Sequence, residues 1–358
     1  MRAPVPFHSA KLLLYYIDAV GKVKHKKLQR CSQKAILYLG RTFDDGKVVL
    51  ALRYGSTQRS LLAAIICFIA FSLSARPGEH DGSKIQPEQL TRGIPVRAGQ
   101  DLTGSQFVRY VSGMNPQERE AAVLEEISKG NVPDFLRILV PVELQGERAN
   151  GQRLSATIFV MPDYLAIGSN SDFLRIPMNL HTAVAVAERF GFVLPTRKMV
   201  DAIYLQSQYH LAPQPLPAGP QMRSTAYYWE HNEMIQDQMH TLGALLGALV
   251  SGDKKDVVMS NRLATYVGRI AIYGWHRAPG QPIQPLSTVH GAYYEDYSHG
   301  IRLISQWALV DGSLESIRGL LQNPSTAKIL SDEGPMHLDW RQLAESQNSS
   351  AVRVTQSN

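Results

Sequence analysis

The sequence predicts an α+β protein, a mixed or antiparallel β-sheet with packed helices. Three observations carry that expectation. A Pro-led, acid-rich stretch ending in glycine at 115–130 reads as a helix. Two strand-like runs, 137–144 and 153–161, flank an Asn150-Gly151 turn. Further strand-like runs crowd the C-terminal half.

In chain order, residues 76–100 are polar and rich in Gly and Pro, and read as a linker or irregular arm. Thr103 opens a short helix, TGSQFVRYVSG. Asn115 caps the next, with Pro116 at its first position and Gly130 past its end. RILVPVEL and RLSATIFVM make the hairpin, and DYLAIGS (163–169) is expected to extend its sheet. Residues 181–190 and 196–208 have helical period. HLAPQPLPAGPQ (210–221) reads as an extended surface connection. The expected body, 101–340, is one domain or two intimate lobes divided there. Beyond it, 256–260, 269–276, 282–291 and 299–310 are predicted strands, and 313–322 and 323–332 helices. Residues 341–358 read as a disordered tail.

Charge is distributed unevenly. Residues 1–60 hold 12 Lys+Arg against 3 Asp+Glu, leaving 25 against 28 in the remaining residues. The overall +6 therefore sits in the leader, and no nucleic-acid partner is expected. Arg59, the apolar run Leu61–Leu73 and Ser72-Leu73-Ser74 follow the order of a secretory signal, assigned to 59–75. The run is short of the roughly 20 apolar residues that a membrane span needs. No stable span is expected once it is cleaved. Residues 1–58 form an upstream extension, read either as a start placed too far upstream or as a cytoplasmic tail; the first is expected. The expected location is exported, in the periplasm or outside the cell. Both cysteines, Cys31 and Cys67, fall in the leader or signal. The mature chain therefore has no disulfide framework, cysteine nucleophile or zinc-thiolate site.

The densest polar and aromatic stretch is 273–302, with Tyr273, Trp275, His276, His290, Tyr294, Glu295, Asp296, Ser298, His299 and Arg302. Histidine, carboxylate and aromatic side chains on loops between strands are the materials of a site. His290-Gly291, followed by Ser298-His299-Gly300-Ile301-Arg302-Leu303, resembles the second half of the L,D-transpeptidase signature, SHGCIRL. That resemblance implies a β-rich domain in which His290, Ser298, His299, Gly300 and Arg302 occupy site positions. The cysteine is missing rather than replaced, so Ile301 and Arg302 shift register against His299, which in a strand swaps their faces. Transpeptidation by that family's route requires a thiol to form the acyl-enzyme. Taken whole, the mature chain resembles a family of exported bacterial proteins, which implies export and no particular reaction.

Three chemistries fit these residues. Ser298 could act as nucleophile with His276 or His290 as base and Asp296 or Glu295 orienting it, although no G-x-S-x-G elbow is present. His276, His290 and His299 with a carboxylate could hold a divalent metal such as zinc (Zn). Asp296, Glu295, Asp256, Glu230 and Glu233 lie near Tyr227, Tyr228, Trp229 and Trp275, as glycoside hydrolysis would want. Ser325-Thr-Ala-Lys328 matches S-x-x-K, but in the wrong order for penicillin-binding proteins, and reads as a capped helix. The expectation is an exported bacterial hydrolase acting on a cell-envelope polymer, peptidoglycan or polysaccharide. His299 would be the general acid/base and Asp296 its orienter or an acid. His276, His290 and Ser298 are further catalytic candidates. Arg302, Trp275, Tyr273 and Tyr294 would bind substrate, Arg302 through an anionic group. The alternative is a non-catalytic envelope-binding or structural protein using the same patch.

Overall fold

A computed structural model describes residues 90–148, 150–339 and Leu343, together with the backbone of three strands near the N-terminus. The predicted signal at 59–75 and all of the predicted tail but Leu343 lie outside the described residues. The chain divides into two units, 1–81 and 82–358. In the first, β1 (Leu12–Ile17) is flanked by β2 (Val23–Leu28) and β3 (Val48–Arg53). Both pairings are antiparallel, with Leu12 opposite Leu28 and Arg53.

The second unit is α+β, as the sequence predicts. Helix α1 (Gly104–Val111) starts at Thr103 and α2 (Pro116–Ser128) at Asn115, each closed by a reciprocal capping box with Gln106 or Glu118. Strands β4 (Val140–Glu147) and β5 (Arg153–Val160) form the predicted hairpin. Its alternation is physical: Val142, Leu144, Leu154, Ala156 and Ile158 are buried, while Glu143 and Gln145 face solvent. Strands β6 (Ala166–Gly168) and β7 (Phe173–Arg175) pair with each other, so 163–169 makes a separate small hairpin rather than extending the sheet. Helix α3 (Leu180–Phe190), strand β8 (Phe192–Val193) and helix α4 (Arg197–Gln206) follow. Residues 90–100 pack onto this body through buried Ile94 and the Thr91 hydroxyl, which donates to the Arg137 carbonyl.

Strand β9 (Tyr209–His210) leads into the proline-rich segment, and helix α5 (Thr225–Leu242) comes after it. Its ends carry ordinary signals, Ser224 as N-cap and left-handed Gly243 at the C-terminus. Its buried face runs Tyr228, His231, Asn232, Ile235 and Met239. That is helical spacing, but His231 and Asn232 interrupt the apolar stripe and hide the period from a reading of hydropathy. Strand β10 (Val250–Ser251) pairs in parallel with β9. Strand β11 (Lys255–Val257), helix α6 (Arg262–Thr265), and strands β12 (Ile272–His276), β13 (Pro282–Ser287), β14 (His299–Gly300) and β15 (Ile304–Val310) come next. Strand β16 (Ser313–Ser316) and helices α7 (Ile317–Gln322) and α8 (Ala327–Leu330) complete the order.

Two sheets dominate. One has the order β16-β15-β5-β4, with β8 also on β15; the other runs β13-β12-β11-β14. The predicted single strand 299–310 is split between them. Its first two residues pair with β11, whereas 304–310 pair with β5. At the crossover, the Leu165 and Met161 N–H groups donate to the Ile301 and Leu303 carbonyls at 2.7 and 3.0 Å. The predicted helix 313–322 is also corrected: its first four residues are β16, reached from β15 through Asp311-Gly312, both at positive φ (46° and 84°). That Asp-Gly pair is the mark of a two-residue hairpin turn. Only from Ser316, which caps α7, does the helix begin. The predicted helix 323–332 shrinks to α8 after a turn at 324–326, with Asn323 Oδ1 accepting from the Ser325 N–H. Among the described residues no helix is long and apolar enough to cross a membrane.

Candidate functional site

The turn that enters β14 is organised by Asp296. Its Oδ1 accepts from the Ser298 N–H at 2.8 Å and from the Ser298 hydroxyl, and its Oδ2 accepts from Tyr294 Oη at 3.0 Å. The Asp296 carbonyl accepts the His299 N–H at 3.0 Å. Side chain and main chain of one residue thus hold both neighbours, as in an Asx turn. Tyr294 is sandwiched: His290 stacks on it with centroids 4.0 Å apart, and His299 meets it edge-on at 5.7 Å. Lys255 is the register partner of His299 on β11, and its ammonium lies 5.0 Å from the centre of the Trp275 ring. Trp275 reaches that place with φ at 57°, a conformation rare for a residue bearing a side chain.

These contacts set the charges. Burial alone would raise the Asp296 carboxyl, but the His299 and Lys255 charges and the Ser298 bonds outweigh it and hold it at about 2. Burial pushes the His299 imidazole down to about 4, against the pull of Asp296. At neutral pH Asp296 is therefore an anion and His299 is neutral. His290 is also lowered by burial, and burial and the adjacent Asp296 raise the Tyr294 hydroxyl.

Two other predicted residues gather elsewhere. His276 Nε2 lies 3.1 Å from Asp201 Oδ1, which also accepts from Tyr273 Oη at 2.8 Å. The His276 ring stacks on Tyr204. Arg302 forms a third group: it donates to the Met161 and Val250 carbonyls at 2.9 and 2.8 Å and lies over the Tyr164 ring at 4.3 Å. Its Nε is 4.0 Å from Asp256, whose carboxyl burial raises to about 7 despite the Arg302 charge. Tyr164 donates to Asp256 at 2.9 Å. The guanidinium is thus engaged by main-chain carbonyls, a ring face and a carboxylate.

Geometry narrows the chemistry. Ser298 gives its proton to Asp296, and among the described residues no histidine is hydrogen-bonded to it, so the serine-base pairing is not formed. Among the described residues no group of three His, Cys, Asp or Glu side chains is placed to hold a metal ion. His276, for its part, is drawn to Asp201 and Tyr204 rather than to His290 and His299. Ser298 and His299 are 0% exposed, and Asp296 and Arg302 1%. Among the described residues neither nitrogen of His299 has a hydrogen-bond partner.

Several participants were missed from the sequence. The run Ser251-Gly-Asp-Lys-Lys-Asp256 carries Asp253 and Lys254, both buried. The Lys254 ammonium donates to the Tyr297 carbonyl at 2.7 Å and lies 3.4 Å from His231 Nδ1. Burial lowers it to about 8, opposed by Asp253. Burial and the Lys254 charge push His231 to about 2. Glu295 is clamped by Arg119 at 2.6 Å and Arg223 at 3.1 Å. Four consecutive polar residues leading into a buried strand were the available signal.

What remains accessible is the rim. The Arg269–Gly291 bridge and the Ile270 N–H to His290 carbonyl bond zip two loops together. These loops expose Tyr266 (54%), Val267 (83%), Val289 (73%) and Tyr293 (53%). Compared with protein-family models, curated proteins and solved structures, the chain matches none.

Proposed function

We propose that the chain is an exported, non-catalytic bacterial protein that binds a cell-envelope polymer, a polysaccharide or the glycan of peptidoglycan, through the 266–267 and 289–294 rim. One observation carries this reading over the hydrolase expectation. Asp296, Ser298, His299, His276 and Arg302 are sealed and internally engaged, the half-buried His290 is stacked on Tyr294, and the large exposed side chains beside them are aromatic and aliphatic. A general base sealed from solvent cannot meet a polymer, and a hydroxyl bonded to a carboxylate turn is a structural group. Tyrosine rings offer an apolar face and a polar edge, which suits the C–H face and hydroxyls of a sugar. Contiguous exposed apolar side chains on a soluble unit mark an interaction surface. Export enters from the 59–75 run, and the polymer from the compartment that export implies.

The test is co-sedimentation with purified cell wall and with insoluble polysaccharides. The wild-type protein should pellet with at least one of them, and the Tyr266→Ala/Tyr293→Ala variant should lose most of that binding while melting at the same temperature. Binding to none of the polymers, or undiminished binding by the variant, would refute the assignment.

A further inference from the structure

An open cleft of about 490 Å³ lies away from the 290–302 turn, lined by Glu147, Arg148, Gly151, Lys198 and Lys328 among others. The end of the β4–β5 hairpin supplies Glu147 and Arg148, the first turn of α4 supplies Lys198, and α8 supplies Lys328. The S-x-x-K match at 325–328 folds here. Its serine, Ser325, is exposed but does not line the cleft, whereas Lys328 does, so the motif contributes its lysine rather than a nucleophile. The Lys198 ammonium donates to the Lys328 carbonyl, which holds it at the cleft wall. Arg148 pairs loosely with Asp311 at 3.6 Å; among the described residues Lys328 forms no ion pair. Among the lining residues three cations therefore face one carboxylate, with Asp311 beside Arg148 and Asp332, itself paired with Arg197, near Lys198; a concave wall of this kind concentrates positive potential.

We propose that this cleft binds a phosphate group, either free or as the phosphomonoester of a small hydroxylated molecule. A planar guanidinium and two ammonium groups lining one cleft match a dianion with several acceptor oxygens. The single carboxylate, Glu147, is the acceptor for a hydroxyl on the esterified molecule, and the volume leaves room for one. This site is independent of the polymer-binding rim.

Calorimetric titration of the full chain with inorganic phosphate, glycerol 3-phosphate and glycerol tests it. Both phosphates should bind and glycerol should not. The Lys198→Gln/Lys328→Gln variant should bind both at least roughly tenfold more weakly, as loss of charge-assisted hydrogen bonds requires. Lys328→Arg keeps the charge and should retain most of the affinity. Tighter glycerol phosphate identifies an esterified ligand, and tighter inorganic phosphate a free anion. Thermal melts of each variant separate lost binding from lost fold. Absence of phosphate binding by wild type at millimolar concentration, or unchanged affinity in a folded double variant, would overturn the proposal.

Discussion

Replacing His299 by leucine should make the protein more resistant to acid. In the folded chain the imidazole is wholly buried, with no hydrogen-bond partner on either nitrogen among the described residues, and takes up its proton only near pH 4. In the unfolded chain it does so near its ordinary 6.5. Between these values the unfolded state binds more protons, so stability falls as pH falls from about 6.5 to 4. A gap of about 2.5 pH units at about 1.36 kcal/mol each is worth about 3 kcal/mol. His299→Leu removes that loss, and the swap is close enough in volume to change stability at pH 7.5 by less than about 1.5 kcal/mol. Other groups titrate in the same range. Burial raises Asp253, Asp256 and Glu120 to about 6, 7 and 8, so the stability they contribute is lost as pH rises through those values. Both proteins share those effects, and the difference between them isolates His299. Urea unfolding at pH 7.5 and 4.5 measures it, with the variant gaining most of that 3 kcal/mol relative to wild type at the lower pH. In the wild type Asp296, held at about 2, stays ionised over this range; the variant loses the His299 charge that helps hold it there, so its carboxyl shifts upward. Parallel pH profiles, or a variant crippled at pH 7.5, would refute a neutral and unbonded imidazole.

Three further outcomes follow from the packing and ion pairs. Arg119→Met leaves the Glu295 carboxylate buried with the more exposed Arg223 and a long bond from the Tyr228 hydroxyl as partners, and should cost about 3–5 kcal/mol in urea unfolding; the exposed Lys129–Glu125 pair broken by Glu125→Ala should cost below about 0.5. Gly300→Ala would place a methyl 2.5 Å from two Tyr164 ring carbons and 3.0 Å from Lys254 Cβ; overpacking of about 1–3 kcal/mol should appear as a lower Tm.

Elements announced by caps and alternation could be read from the sequence. Thr103, Asn115 and the 140–160 hairpin came from local rules that tertiary structure did not override. Elements defined by distant partners could not. The 299–310 run looks continuous because both its halves are apolar, and only the positions of β11 and β5 decide where it leaves one sheet for the other. Helix α5 hid because it buries His231 and Asn232, whose partners Lys254 and Arg175 lie elsewhere in the chain. The site followed the same division. Sequence proximity found Tyr294, Asp296, Ser298 and His299, which do cluster. It could not reveal that Asp296, Ser298 and His299 are buried, that Arg302 is engaged by main-chain carbonyls, or that Asp201 draws His276 away.

The most direct test is product release. Wild-type protein and His299→Leu are incubated with purified peptidoglycan and polysaccharides, and the soluble fraction is analysed by mass spectrometry while the pellet is assayed for bound protein. A binder whose polar centre is structural leaves the polymers intact and stays bound in both forms. Fragments released by wild type and absent with the folded variant would contradict this account and restore His299 to the chemistry.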